Sequence, residues 1–354
     1  MRKIRRMFLG SNSSMGFYSL FEQIQSMELN RYFIIKGGPG TGKSIFMKKI
    51  GKHIEDMKYA LEYYHCSSDC DSLDGVFIPE LKIALVDGTA PHIVDPRYPG
   101  LIDEILDFTA FLVRDKLLPY KGDIIQIDKN ISLYFKRAYL YLKQAAVVLE
   151  QHSLELNWKH EREIDIRQVT RKLIEEIFGN IEIKENIPKI RRFFASGITP
   201  QGICSYYSTL IAEDMKIYCL NEYIGLNAKE ILSKITDTAY ELGLDTEVYH
   251  CPFMPNAIDM VIIPLLNTAV VNTSYPYHSN TIEKNKYLDI TEIKIHPYEG
   301  ETEHFTSLID MAIEDIKRAK LAHDTLEEIY AGAMDFEKVD EKYSNVLEII
   351  SRYR

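Results

Sequence analysis

The feature that most constrains this chain is that it is written twice. Tyr64-His65-Cys66 returns as Tyr249-His250-Cys251, an offset of 250 − 65 = 185 residues. At that offset residues 31–92 align with 216–277 without a gap, and 15 of the 62 pairs are identical. Among them are Gly40/Gly225, Lys49/Lys234, Ile50/Ile235, Asp74/Asp259, Pro79/Pro264, Leu81/Leu266 and Pro91/Pro276. Small shifts extend the match to Phe8-Leu9-Gly10 against Phe194-Ala195-Ser196, and to Lys136-Arg137-Ala138 against Lys317-Arg318-Ala319. A repeat of this length is a whole structural unit, so both copies should share one fold.

The pattern inside the unit is α/β. Arg31 to Lys36 reads as a short strand, and Ser44 to Met57 as a helix with Ile45, Phe46, Met47, Ile50 and Ile54 on one buried face. Leu61 to Cys66 and Lys82 to Asp87 read as further strands, the second apolar through Ile83-Ala84-Leu85-Val86 like the interior strand of a parallel sheet. The acidic stretch Ser67 to Gly75 between them reads as a loop that could hold an acceptor substrate or be a solvated turn. Alternating strands and helices imply a parallel sheet covered on both faces. A helical stretch follows each unit, from about Asp123 to Gly179 with a break near Asn157, and from about Glu301 to Tyr353. Neither carries heptads over enough length for a coiled coil.

Gly37-Gly38-Pro39-Gly40-Thr41-Gly42-Lys43-Ser44 matches G-x-x-x-x-G-K-[ST] and lies between the first strand and the helix, the context a P-loop requires. Glycines let backbone N–H groups wrap phosphate oxygens, and the helix N-terminus adds its positive dipole end. In this reading Lys43 reaches the β- and γ-phosphates and Ser44 ligates Mg2+. A second metal-side acid is needed at a neighbouring strand end, and Asp87 closes the run Ile83 to Val86. The water-activating base is unassigned, with Glu80 and Asp74 as candidates. The expected fold is therefore α/β, two tandem P-loop NTPase-like parallel-sheet units, each followed by a helical segment. The divisions are 1–122, 123–190, 191–300 and 301–354.

The second copy lacks the chemistry. Gly37, Gly38, Gly42 and Lys43 become Glu222, Tyr223, Asn227 and Ala228, while Asp87 becomes Asn272 and Glu80 becomes Leu265. Loop glycines, phosphate lysine and metal acid are lost together, which marks the second copy as degenerate. His65-Cys66 and His250-Cys251 survive in both, so triphosphate chemistry is not their only reason. They read as packed, hydrogen-bonded strand-end pairs, as substrate contacts, or as metal ligands with Cys70, His92 and His278, although the spacing is not that of a C-x-x-C site. Thr89 to His92 can line the same cleft, and Arg97 or Arg137 could neutralise transition-state charge.

A formal net charge of −10 argues against a general nucleic-acid binder. The basic start Met1 to Arg6 is followed at once by Gly10 to Ser14, so no secretory h-region follows it, and no segment approaches a bilayer span. Five scattered cysteines do not suggest a disulfide framework, and a cytoplasmic protein is expected.

The stretches Phe33 to Ser44, Tyr64 to Asp69 and Asp87 to His92 resemble a bacterial family of ATPase-like proteins with tandem P-loop domains and no settled substrate. That resemblance covers most of the chain and implies ATP binding and hydrolysis. In that family the second half commonly keeps its own glycine-rich loop, and this sequence departs there. The expected function is a Mg2+-dependent ATPase with one active and one degenerate site. Alternatives are a small-molecule kinase using ATP, or a nucleotide-gated binding protein with negligible turnover.

Overall fold

The computed structural model describes residues 4–157, 161–221, 228–273, 289–294 and 303–353. The first copy runs β1 (Ile4–Phe8), β2 (Gly10–Ser13), β3 (Gly16–Ser19), α1 (Glu22–Ser26), β4 (Arg31–Lys36), α2 (Lys43–Asp56), β5 (Leu61–Cys66), β6 (Asp69–Ile78), β7 (Ile83–Asp87) and β8 (Asp103–Asp107). It closes with α3 (Arg114–Leu117), α4 (Lys121–Asn157) and α5 (Glu161–Phe178). The second copy repeats the order: β9 (Ile190–Phe193), β10 (Ser196–Thr199), β11 (Gly202–Ser205), α6 (Tyr207–Leu210), β12 (Lys216–Asn221), α7 (Ala228–Glu241), β13 (Thr246–His250), β14 (Ile258–Ile263), β15 (Thr268–Asn272) and β16 (Asp289–Lys294). Its helices are α8 (Glu303–Ala331) and α9 (Phe336–Ser351).

Each copy builds a six-stranded sheet, β1-β5-β6-β7-β4-β8 and its counterpart β9-β13-β14-β15-β12-β16. The sheets are mixed, which corrects the expectation of a parallel one. β4 lies parallel to β7 and β8, but β6 runs antiparallel to both β5 and β7. Only Ser67 and Ser68 separate β5 from β6, far too few for a parallel crossover, so the chain must turn straight back. Most of the stretch expected as a loop is thus strand β6, polar at its start and buried from Leu73 onward. On α2, Phe46, Met47, Ile50 and Ile54 are buried as expected, whereas Ile45 is 61% exposed and leaves that face.

The two sheets meet edge to edge. Phe8 of β1 and Phe194, just past β9, exchange N–H···O bonds of 2.9 and 3.0 Å in an antiparallel bridge. Around it lies a buried cluster of repeat-related residues. Arg5 bonds Glu62 at 3.1 Å and Glu247 at 2.8 Å, and Arg191 bonds Glu62 at 2.8 and 2.6 Å. The Tyr64 hydroxyl donates to Glu62 and that of Tyr249 to Glu247, closing a near-symmetric arrangement like the isologous interface of a homodimer.

The helical segments are exchanged between the copies. α5, from the first copy, packs on α7, placing Leu173 and Phe178 in one cluster with Ile231, Leu232, Val248 and Val270. α9, from the second copy, packs on α2, placing Val339, Val346 and Ile350 with Phe46, Ile50 and Leu85. α4 and α8 pack along each other, Ala138, Leu142 and Ala145 against Leu308, Ala312 and Ile316. Among the described residues no helix is long and apolar enough to cross a membrane.

Candidate nucleotide site

β4 is an inner strand buried on both faces, and the glycine loop leaves its C-terminal end to start α2 at Lys43. Gly40 (φ 66°) and Gly42 (φ 87°) take left-handed conformations that favour glycine. The loop is held from within and from β7. Thr41 Oγ1 donates to Gly38 O at 2.8 Å, and Thr89 Oγ1 donates to Gly37 O at 3.0 Å. Lys43 Nζ donates to Gly37 O and Gly38 O, both at 2.7 Å, and stands 3.5 Å from Asp87 Oδ2. Asp87 Oδ1 in turn accepts from the Thr89 N–H at 2.9 Å.

The hairpin of β5 and β6 brings a second acid to the same place. The Ser44 hydroxyl accepts from the Leu73 N–H at 3.0 Å, which seats the start of α2 beside Asp74. Asp74 is buried, and its Oδ2 lies 3.6 Å from Nε2 of the buried His92. The His92 ring stacks on Phe21, with centroids 4.4 Å apart and planes at 21°. Donor atoms of Asp74, Asp87 and His92 all lie within 4.8 Å of one another. Burial works against a proton on His92, but the Asp74 and then the Asp87 carboxylate outweigh it and hold its pKa above the ordinary value.

Glu80 is not part of this constellation. It lies in the turn from β6 to β7, where Ile78 faces Ile83 and Ile83 faces Arg31 at the start of β4. The loop leaves β4 after Lys36, roughly 16 Å further along a strand of this length. Glu80 Oε1 instead accepts from the Ala60 N–H at 3.1 Å, so the expected catalytic Glu80 is not brought to the loop: it precedes β7, whose parallel pairing with β4 leaves it at the opposite end of the sheet. Arg97 falls in the segment bonded to Asp103, which faces Tyr32 at that same far end. Arg137 pairs with Asp315 of α8 at 3.1 Å.

The His-Cys pairs are packing elements beside the site. His65 Nδ1 donates to Cys70 O at 2.7 Å, and its Nε2 lies 3.0 Å from Arg6 Nη1, an arrangement that keeps the ring neutral. Burial, reinforced by the Arg6 charge, lowers its pKa to about 4. His250 repeats the contacts with Pro255 O at 2.6 Å and Arg192 Nη1 at 3.2 Å. Burial and the neighbouring Asp74 or Asp259 push the Cys66 and Cys251 thiols up, so neither is a ready thiolate. His278 and the counterparts of the loop, residues 222–227, lie outside the described residues.

At the equivalent place in the second unit Ala228 replaces Lys43, and Asn272 Nδ2 donates directly to Asp259 Oδ1 at 3.2 Å. The second copy also supplies a wall to the first copy's loop, which no local motif announces. A Cβ on Gly40 would stand 2.2 Å from the Glu327 carbonyl oxygen of α8, and one on Gly42 would stand 3.2 Å from the Phe336 ring. Lys320 of α8 reaches Asp69 at 3.4 Å. Comparison with protein-family models, curated proteins and solved structures finds no match to this chain.

Proposed function

We propose that the chain binds ATP with Mg2+ at the first unit's glycine loop and hydrolyses it there, the second unit being a catalytically degenerate partner. One observation carries this reading: Lys43, Ser44, Asp74 and Asp87 converge on a glycine loop at the end of an inner strand, and in the copy Lys43 and Asp87 are replaced by Ala228 and Asn272. The loop Gly37-Gly38-Pro39-Gly40-Thr41-Gly42 would direct its N–H groups at phosphate oxygens, helped by the α2 dipole. The Lys43 ammonium, which now bonds loop carbonyls, would turn to the β- and γ-phosphates.

The residues present fit a divalent cation. Asp87 Oδ2 stands 3.5 Å from the Lys43 ammonium, a carboxylate oxygen of the buried Asp74 lies within 4.8 Å of one of Asp87, and the Ser44 hydroxyl is tied to the neighbouring Leu73 N–H. A bound Mg2+ would neutralise charge developing on the phosphates. The chain's own contribution is to fix the phosphates by loop amides and Lys43, and to keep the acids oriented through Thr89 and the β5–β6 hairpin.

A single-turnover assay with ATP and Mg2+, run with and without candidate acceptors, tests the proposal. Phosphate release without an acceptor, abolished in Lys43→Ala, supports an ATPase. Turnover only with an acceptor moves the reading to a kinase. The packing of α8 and α9 on the loop favours one further reading, a nucleotide-gated binding protein, for which ATP would bind and rearrange these helices with no product formed.

A further inference from the structure

Equivalent positions in the two copies behave differently. In the second unit Asn272 donates to Asp259 through an amide-to-carboxylate hydrogen bond of 3.2 Å. In the first unit both positions are aspartates, Asp74 and Asp87, on adjacent antiparallel strands. Neither aspartate can supply the amide N–H that Asn272 donates in the second unit, and a cation between the two carboxylates would relieve the repulsion of like charges at this range.

Lys43 does not fully meet that need. Its short hydrogen bonds go to the carbonyls of Gly37 and Gly38, and Asp87 stands beyond hydrogen-bond range at 3.5 Å. It is also the group that the phosphates would draw away. His92 is the other neighbour. Its side chain is buried, its Nδ1 has no hydrogen-bond partner, and its Nε2 is 3.6 Å from Asp74 Oδ2. That separation is too long for a good hydrogen bond and suits two ligands sharing one ion. Stacking on Phe21 fixes the ring plane, so the imidazole is presented without further ordering.

We propose that Asp74, Asp87 and His92 form a divalent-cation site selective for a transition metal such as Mn2+ over Mg2+, and that it loads before nucleotide binds. Imidazole is a ligand for first-row transition metals, whereas Mg2+ takes oxygen donors almost exclusively, so one nitrogen among two carboxylates tilts the site away from Mg2+. This inference rests on the site proposed above, which already holds Asp74 and Asp87, and adds His92 as a ligand. Asp74 comes from β6 and His92 from the segment after β7.

Titration of the nucleotide-free protein with Mn2+, followed by loss of the free-ion electron paramagnetic resonance signal, reads the site without any turnover. The expected result is one Mn2+ per chain, displaced by Mg2+ only at an excess of about tenfold or more. Asp87→Asn rebuilds the pairing of the second copy and is expected to remove binding. His92→Asn should weaken Mn2+ binding by about tenfold or more and erase the preference over Mg2+. Asp74→Asn, an isosteric change, is the check on folding, with unchanged circular dichroism and weakened Mn2+ binding. Absence of Mn2+ binding to nucleotide-free protein would overturn the proposal, as would binding that His92→Asn and Asp74→Asn leave intact. Binding of a fluorescent ATP analogue in the presence of EDTA separates the two readings. If the analogue binds and Mn2+ does not, the nucleotide site stands and the metal site falls; if neither binds, both fall.

Discussion

Replacing Glu62 with glutamine probes the charge cluster that joins the two halves. Glu62 is buried and accepts from Arg191 at 2.8 and 2.6 Å, from Arg5 at 3.1 Å and from the Tyr64 hydroxyl at 2.8 Å. Burial opposes its ionisation, but Arg191 and then Arg5 outweigh that and hold its pKa down to about 2, against an ordinary 4.5. At roughly 1.4 kcal/mol per pH unit, that depression corresponds to about 3 kcal/mol of stability. Because the folded-state value is the lower one, this stability is present above pH 4.5 and is lost as pH falls towards 2. By pH 3 about 2 kcal/mol of it is gone. Glutamine leaves Arg191 without its bidentate anion, and breaking a buried pair in this way costs about 3–5 kcal/mol. Urea denaturation at pH 7 should therefore place Glu62→Gln about 3 kcal/mol below wild type, and at pH 3 the gap should shrink to about 1 kcal/mol. A gap under 1 kcal/mol at pH 7, or one that does not change with pH, would refute the assignment of this cluster as the ionic clasp between the halves.

Glu80→Gln should leave ATP turnover within about twofold of wild type, since the residue sits at the opposite end of the sheet and bonds Ala60; a loss of tenfold or more, measured by phosphate release, would restore it as a base. His65 should stay neutral down to about pH 4. With its folded-state value below the ordinary 6.5, its contribution to stability is whole above that pH and declines towards pH 4, and an NMR titration showing protonation near 6.5 would contradict this. Gly40→Ala meets both a φ of 66° and the Glu327 carbonyl, so α8 should lift from the loop. Hydrogen exchange over residues 320–331 should then rise severalfold, while unchanged protection would mean that the helix is not held there.

Several elements could be read from the chain itself because they depend on near neighbours. Strand β4, the glycine loop and helix α2 follow from six apolar-rich residues, two glycines in left-handed conformations and a 3.6-residue apolar period, all within 26 residues of one another. The break expected near Asn157 falls at residues 158–160, which lie outside the described residues. The stretch 67–75 was illegible for the opposite reason. Its polar first half carries no strand pattern, and its pairing depends on where β5 and β7 lie. Glu80 is close to Asp87 in sequence, whereas the parallel pairing of β7 with β4 leaves it at the end of the sheet opposite the glycine loop. His92 follows a turn and owes its place to Asp74 and Phe21, neither of which is near it in sequence.

The duplication and the replacement of Lys43 and Asp87 by Ala228 and Asn272 in the second copy are properties of the sequence alone, since comparing aligned positions requires no coordinates. How the two copies combine was decided only by tertiary packing. α5 and α9 each bury an apolar face against a helix of the other copy, α7 and α2, and Arg5 and Arg191 find their carboxylates across the joint. A helix's apolar stripe says that it will pack, but not on which unit, because the hydrophobic effect has no direction. That choice places the second copy's α8 against the glycine loop of the first.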